Sequence, residues 1–339
     1  MLMKNIYYRL LSVAFCIGIS SVNVFAQSPQ YILEKTIPLS GDGSNDYVYI
    51  DQINRHLYAS HGTIVNVVDL ESGKTIGVID SMQGVHGIAI ANDLNRGFIS
   101  DGKANAIIAF DINTLKIIKT IPVTGKNPDG IIYDPFSKKI FAFEGHSSSV
   151  AVIDPQNLTE VGAIDAGGAP EFAVSDGKGL IFTNLEDKSR LAVINTKTLK
   201  VIKSYPLDPC GGPTGLALDK INHRLFTVCR ENKGMSVINA NNGKIIQTLP
   251  IGAGVDAVVY DPVNKLVIAS NGDGTANVFQ QNSADNYTIL QTLTTQPRAK
   301  TMAIDAATHQ IYFPVSDYQQ GSKSPVPGSF KLLVFQFKK

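Results

Sequence analysis

The chain of 339 residues contains no tryptophan, and charged side chains make up only 17% of it. Without indole, stacking on sugar rings falls to tyrosine, and no broad aromatic platform exists for a planar redox cofactor. Cysteine is scarce, at three residues, and no Cys-x-x-Cys or Cys-x-x-Cys-His motif occurs, so quinone and haem cofactors find no support. No His-x-Glu pair or other compact ligand spacing points to a metal. No stretch carries a 3.6-residue apolar stripe of helical length, and no run beyond the first 26 residues is long enough to span a bilayer.

Those first residues have the form of an export signal. Lys4 and Arg9 give a positive start, Leu10 to Val24 is mostly apolar, and Val24-Phe25-Ala26 places small residues where a signal peptidase reads. Cleavage is expected after Ala26, giving a signal segment 1–26, a single domain 27–339, and a periplasmic or secreted protein. Removal of Lys4 and Arg9 leaves 28 basic against 29 acidic side chains. That balance supplies no general phosphate-binding field, so broad nucleic-acid binding is not expected.

What the sequence does contain is one phrase repeated seven times. A short apolar strand ends near Asp51, Ala91, Asp134, Asp176, Asp219, Asp261 and Asp305, at intervals of 40 to 44 residues, and a turn and a second strand follow. In the second repeat the four expected strands are 87–90, 97–100, 106–111 and 116–121. Seven repeats of four short strands predict an all-β, seven-bladed β-propeller with four antiparallel strands per blade. Asp134-Pro135, Asp154-Pro155 and Asp261-Pro262 read as turn residues. The last repeat stops after a third strand at 332–337, whereas Tyr31 to Leu39 resembles a fourth. The N-terminal strand is therefore expected to complete blade seven and close the ring.

In degenerate form, Ile181-Phe182-Thr183-Asn184 and Ile268-Ala269-Ser270-Asn271 match the tetrapeptide that names the YVTN-type β-propeller repeat proteins. The segments 84–89, 126–130, 169–174 and 270–275 also resemble the exported, YncE-like branch of that family. The resemblance covers essentially the whole mature chain. It implies a seven-bladed propeller outside the cytoplasm and little chemistry.

Repeat phase puts the position five residues before each anchor at the mouth of the central channel. These lead-in positions are Asp46, His86, Asp129, Glu171, Thr214, Asp256 and Lys300, with Arg298 beside the last. A second ring, at the exits of the second strands, holds His61, Asp101, Glu144, His146, Glu186, Arg230, Asp273 and Asp317. Imidazoles and carboxylates converging there could hold a divalent cation, with His61, His86, Asp101 and Asp129 as candidate ligands, or could supply a general acid and base. They could equally bond neighbouring loop backbone and tie blades together. Arg230, Arg298 and Lys300 suit a zwitterionic or carboxylated ligand, or pair with Asp256 or Asp273.

Cys210 and Cys229 fall on the same face of the fifth repeat. A disulfide is expected in an exported protein, and two free thiols are the rival. The insertion from Asp317 to Ser329 is a candidate lid over the mouth or a plain surface loop. Three functions stay open: a small ligand or protein partner bound at the mouth, a metal-dependent hydrolase or lyase, and a scaffold gripping protein through its rim. No metal, catalytic residue or oligomeric state is fixed at this level.

Overall fold

The computed structural model describes residues 29–339, so the expected signal segment lies outside the described residues. Seven four-stranded antiparallel sheets stand around a central channel, as the repeat predicts. Their innermost strands are Asn45–Asp51, Val85–Ala91, Pro128–Asp134, Pro170–Ser175, Pro213–Asp219, Ala257–Asp261 and Ala303–Ile304, here blades 1 to 7. In blade 2 the chain steps outward through Arg96–Asp101, Ala106–Asp111 and Ile117–Pro122. Inner strands are covered by neighbouring blades on both faces and are apolar almost throughout, whereas Ile117–Pro122 has one buried side chain in six.

Blade 7 is closed by the N-terminal strand Gln30–Pro38, which pairs antiparallel with Lys331–Lys338. Tyr31 and Ile37 of that strand are buried in the same clusters as Phe335 and Leu332. A glutamine fastens it sideways: Gln291 on the outer strand of blade 6 accepts from Tyr31 N at 2.8 Å and donates to Tyr31 O at 2.9 Å. Gln247 makes the same double bond to Tyr287 between blades 5 and 6, each contact 2.9 Å. Both termini thus contribute to one blade, and its outer edge is left to a strand as exposed as those of the other blades.

The anchor aspartates cap their turns and then reach beyond them. Asp51 accepts from Ile53 N at 3.0 Å and from Asn92 of the next blade at 3.0 Å. Asp134 accepts from Ser137 N at 2.9 Å and from Ser175 of blade 4 at 2.6 Å. Asp305 takes both guanidinium nitrogens of Arg55 at 2.6 Å, joining blade 7 to blade 1. A short carboxylate at a strand end thus satisfies local amides and a neighbouring blade at once, through separate oxygens in Asp134 and through a shared Oδ1 in Asp51. No helix among the described residues is long and apolar enough to cross a membrane.

Candidate functional site

Lead-in and exit residues do share one face. Asn45 pairs with His61, Val85 with Asp101, Pro128 with Glu144 and Pro213 with Cys229. In blades 1 to 5 the ladder shifts register immediately after these pairs, across Asp46–Tyr47, His86–Gly87, Asp129–Gly130, Glu171–Phe172 and Thr214–Gly215. A bulge of this kind releases two residues from the ladder and re-aims their side chains. The freed carbonyls are then fixed from the neighbouring blade. Ser60 donates to His86 O and Ser100 to Asp129 O, while Asn184 donates to Thr214 O at 2.7 Å; in blade 7, which has no such shift, Lys300 O likewise accepts from Ser270 of blade 6.

Held in this way, three lead-in residues meet. His86 Nδ1 lies 2.6 Å from Asp46 Oδ2 and 3.7 Å from Asp129 Oδ1, and one ligand atom from each falls within 4.8 Å of the others. Asp129 Oδ1 is out of contact with solvent and has no hydrogen-bond partner among the described residues. Burial, with Asp46 nearby, pushes the Asp129 carboxyl up to about 6. Burial works against the His86 imidazolium, but the hydrogen bond to Asp46 and the charge of Asp129 outweigh it, and its pKa rises.

Blades 4 to 7 supply a second arc. Arg230 bridges Glu186 and Asp256, each at 2.6 Å, and Lys300 takes the other oxygen of Asp256 at 2.6 Å. Two of the three cations expected at the mouth are therefore paired with Asp256. Burial and a hydrogen bond shared with Glu186 push Glu171 up to about 9, so it stands protonated at neutral pH. A carboxyl raised by folding is bound to its proton more tightly in the folded state. Its contribution is fullest below about 4.5, the ordinary value, and falls as pH rises toward 9. Glu171→Gln should leave the melting temperature unchanged at pH 4 and raise it by about 2–4 °C at pH 8, read by thermal circular dichroism.

Other residues of the two rings do not converge. His61 is stacked on Phe330 with ring centroids 3.8 Å apart, and its Nε2 bonds Gly43 O at 2.9 Å. Asp101 accepts from Gln83 N and Gly84 N at 2.9 and 2.8 Å. The metal-competent group therefore contains Asp46 in place of His61 and Asp101. Glu144 is buried against Ser149 at 2.6 Å, whereas His146 is exposed on a short turn. Thr214 is buried and turned toward Val255 O. Asp273 is used by Ala253 N and Thr275, and Asp317 by Lys331 at 2.5 Å.

Arg298 has a different partner from those expected. Its guanidinium lies 3.7 Å over the Tyr318 ring and donates to Ser322 O at 3.0 Å, so it grips the 317–329 insertion. Gly328 N reaches Asp42 of blade 1 at 3.0 Å, which holds the insertion over one side of the mouth. Beneath it is a cavity of about 1020 Å³ whose wall includes Asp46, His86, Lys103, Arg298, Lys300 and Lys323. Cys210 and Cys229 form a disulfide that ties the blade 5 lead-in loop to its second strand, with Cα atoms 5.2 Å apart.

Two residues that the repeat phase did not single out meet inside the channel. Tyr47 and Phe172 stack across the channel from blades 1 and 4, with centroids 4.8 Å apart. Beyond them an apolar cavity of about 520 Å³, lined by both rings and by Ile88, Ile131 and Val174, opens toward the opposite face. The sequence carried a signal for them. The residue after each lead-in position is Gly87, Gly130, Gly215, Ala257 or Thr301 in the other five blades. At Gly87 and Gly215 a Cβ would come within 2.9 and 2.8 Å of the next blade's carbonyl oxygen. Small residues are demanded there, so the two aromatics are departures.

Comparison with known proteins supports the fold and leaves the chemistry open. No family model matches the chain. It is 22% identical over 220 residues to the antigen Lp49 of Leptospira interrogans serogroup Icterohaemorrhagiae serovar copenhageni, covering 61% of this chain and 48% of that protein. The chain thus spans about half the length of the curated relative it matches. Among solved structures, the Kuenenia stuttgartiensis hydrazine synthase superposes with a TM-score of 0.72 at 14% identity, over 88% of this chain and 97% of that one. The WD40 repeats of RRP9 give 0.78 at 10% identity over 92% and 99%. At such identities these likenesses establish the propeller and nothing finer.

Proposed function

We propose that the protein is an exported propeller of the YVTN type that binds a small zwitterionic or carboxylated molecule at the channel mouth. The observation that carries this reading is the two-signed wall of the 1020 Å³ cavity. Asp46 and His86 line it in blades 1 and 2, with Lys103 of blade 2 beside His86, and Arg298 and Lys323 line it from blade 7; Lys103 and Lys323 make no ion pair among the described residues. A ligand ammonium would meet the acidic groups and a ligand carboxylate the cations. Export is supported by the form of residues 1–26 and by the resemblance, and agrees with a distant relative that is named an antigen.

Calorimetric titration with amino acids and dicarboxylates tests the reading. At least one should bind, and Lys103→Ala with Lys323→Ala should weaken it by about tenfold or more. A panel that gives no heat, or affinity indifferent to both lysines, removes the proposal. Asp46, His86 and Asp129 favour a second reading, a divalent cation, because the solvent-free Oδ1 of Asp129 has no donor. One oxygen from each carboxylate and the imidazole nitrogen suit zinc or a similar borderline ion better than calcium. Elemental analysis of protein never exposed to chelator should then find about one equivalent of metal, lost in His86→Ala. Metal-free protein that also fails to take up added zinc excludes it.

A further inference from the structure

The large apolar side chains left exposed fall into two sets. Most sit singly on outer strands, as Ile76, Ile118, Val161 and Ile202 do. The three most exposed, Ile221 at 81%, Ile53 at 73% and Val263 at 66%, do not. Together with Phe136 they occupy one structural position, two residues after the anchor aspartate, at the tips of the inner hairpins of blades 5, 1, 6 and 3. All four project from the face opposite the mouth. Their loops are not free to fold the side chains back. The amides of Ile53, Ile221 and Val263 are each held at 3.0 Å by the buried aspartate of their turn, and Asp134 holds Ser137 beside Phe136.

The charge of this face leans positive. Lys220 and Lys265 are exposed on the hairpins of blades 5 and 6 and Lys178 on that of blade 4, and none makes an ion pair among the described residues. Asp51, Asp134, Asp219, Asp261 and Asp305 of the inner hairpins are buried, and Asp176 of blade 4 is half-buried and accepts from Lys178 N and Leu180 N. Arg55 and His309 are consumed by Asp305 and Asp261, and Lys138 by Asp93. Farther out, the same face adds exposed Lys74, Lys116, Lys197 and Lys244 against exposed Glu71 and half-buried Asp69 and Asp111, which accept from amides of their own turns.

We propose that this face docks onto an anionic lipid surface, with the four apolar tips entering the headgroup region and the lysines meeting lipid phosphates. The spacing of the tips decides for lipid over protein. They come from blades 1, 3, 5 and 6; polar tips at Asp93 and Lys178 stand between blades 1 and 3 and between blades 3 and 5, and only blades 5 and 6 are neighbours, so the four are spread around the ring and make no single patch for a protein core to cover. A bilayer interface needs no complementary pocket, and it accepts isolated apolar side chains provided they lie near one plane. Sevenfold repetition of the same hairpin puts them there. Each lysine adds electrostatic attraction that salt screens. The mouth then faces away from the bilayer.

Flotation of the whole protein with vesicles tests this. Vesicles of equimolar phosphatidylcholine and phosphatidylglycerol should carry the protein up the gradient, and pure phosphatidylcholine should carry far less. Ile53→Ser with Ile221→Ser should abolish flotation. Lys178→Ala, Lys220→Ala and Lys265→Ala together should weaken partitioning by about fivefold per lysine and flatten its salt dependence. Because all five side chains are exposed, unchanged melting curves will show that each variant is folded. The proposal falls if anionic vesicles leave the wild type behind, or if flotation survives both variants. It falls equally if the wild type sediments as a dimer that Ile221→Ser splits while the vesicles stay empty, since the tips would then face a second copy of the chain.

Discussion

Deleting Gln30–Pro38 should leave a protein that no longer melts as one cooperative unit. The strand buries Tyr31 and Ile37 and is paired along its length with Lys331–Lys338. Each buried apolar side chain contributes about 1.5–3 kcal/mol. The loss therefore reaches about 5 kcal/mol once the Gln291 clamp and the unpaired ladder are included, against a total of about 5–15 for a domain. The damage also extends beyond the strand itself. Lys331–Lys338 would become an open edge carrying Leu332, Leu333, Val334 and Phe335, a ready template for pairing with other chains. The expected result is a melting temperature lowered by about 8 °C, with aggregates in sedimentation velocity. A truncated protein that stays monomeric and keeps its transition would show that closure contributes little.

Asp305→Ala should be the most damaging single substitution on the face opposite the mouth. The carboxylate is fully buried, takes both guanidinium nitrogens of Arg55 at 2.6 Å, and also accepts from Thr308 Oγ1 at 2.6 Å and Ala307 N at 3.0 Å. Removing it strands the Arg55 charge where blades 7 and 1 meet. Breaking one side of a buried pair costs about 3–5 kcal/mol, to be read as a shifted denaturant midpoint at unchanged slope. The effect has a pH signature. Burial alone would raise the Asp305 carboxyl, but the bonds from Arg55 and Thr308 outweigh it and hold its pKa below the ordinary value of 3.8. Its stabilisation is then complete above the ordinary aspartate range and disappears as pH falls through the lowered folded value. Wild type and variant should differ fully at pH 7 and converge only as pH falls through the lowered folded value, below the ordinary 3.8. An equal gap at all pH values would mean that packing, not charge, is lost.

Architecture was legible in the sequence because it depends on spacing. A 40–44-residue period, an aspartate at six of the seven strand ends and a surplus strand at the N terminus suffice for seven blades and their closure. Repeat phase also put Asp46, His86 and Asp129 on one face, where the structure brings them together. Phase gives only the height of a residue along the channel, however, and not the direction of its side chain. His61 has the height of a ligand, yet it is turned onto Phe330 and bonded to Gly43. Arg298 has the height of a mouth cation and instead holds the insertion, a partnership set by a stretch that no other blade contains. The register shifts that re-aim the lead-in side chains are a property of backbone pairing between strands and leave no mark in composition.

The mouth and the hairpin face stand at opposite ends of the same inner strands. At one end solutes meet ionisable groups, and at the other inner-strand hydrocarbon and a face that leans cationic. The two cavities share no lining residue, and only the second is walled by the Tyr47 and Phe172 rings. Occupancy of one has no common side chain through which to bias the other, so the two ends are expected to titrate as independent receptors. Such a body could stay seated on a surface through one face while the other fills and empties at its own equilibrium.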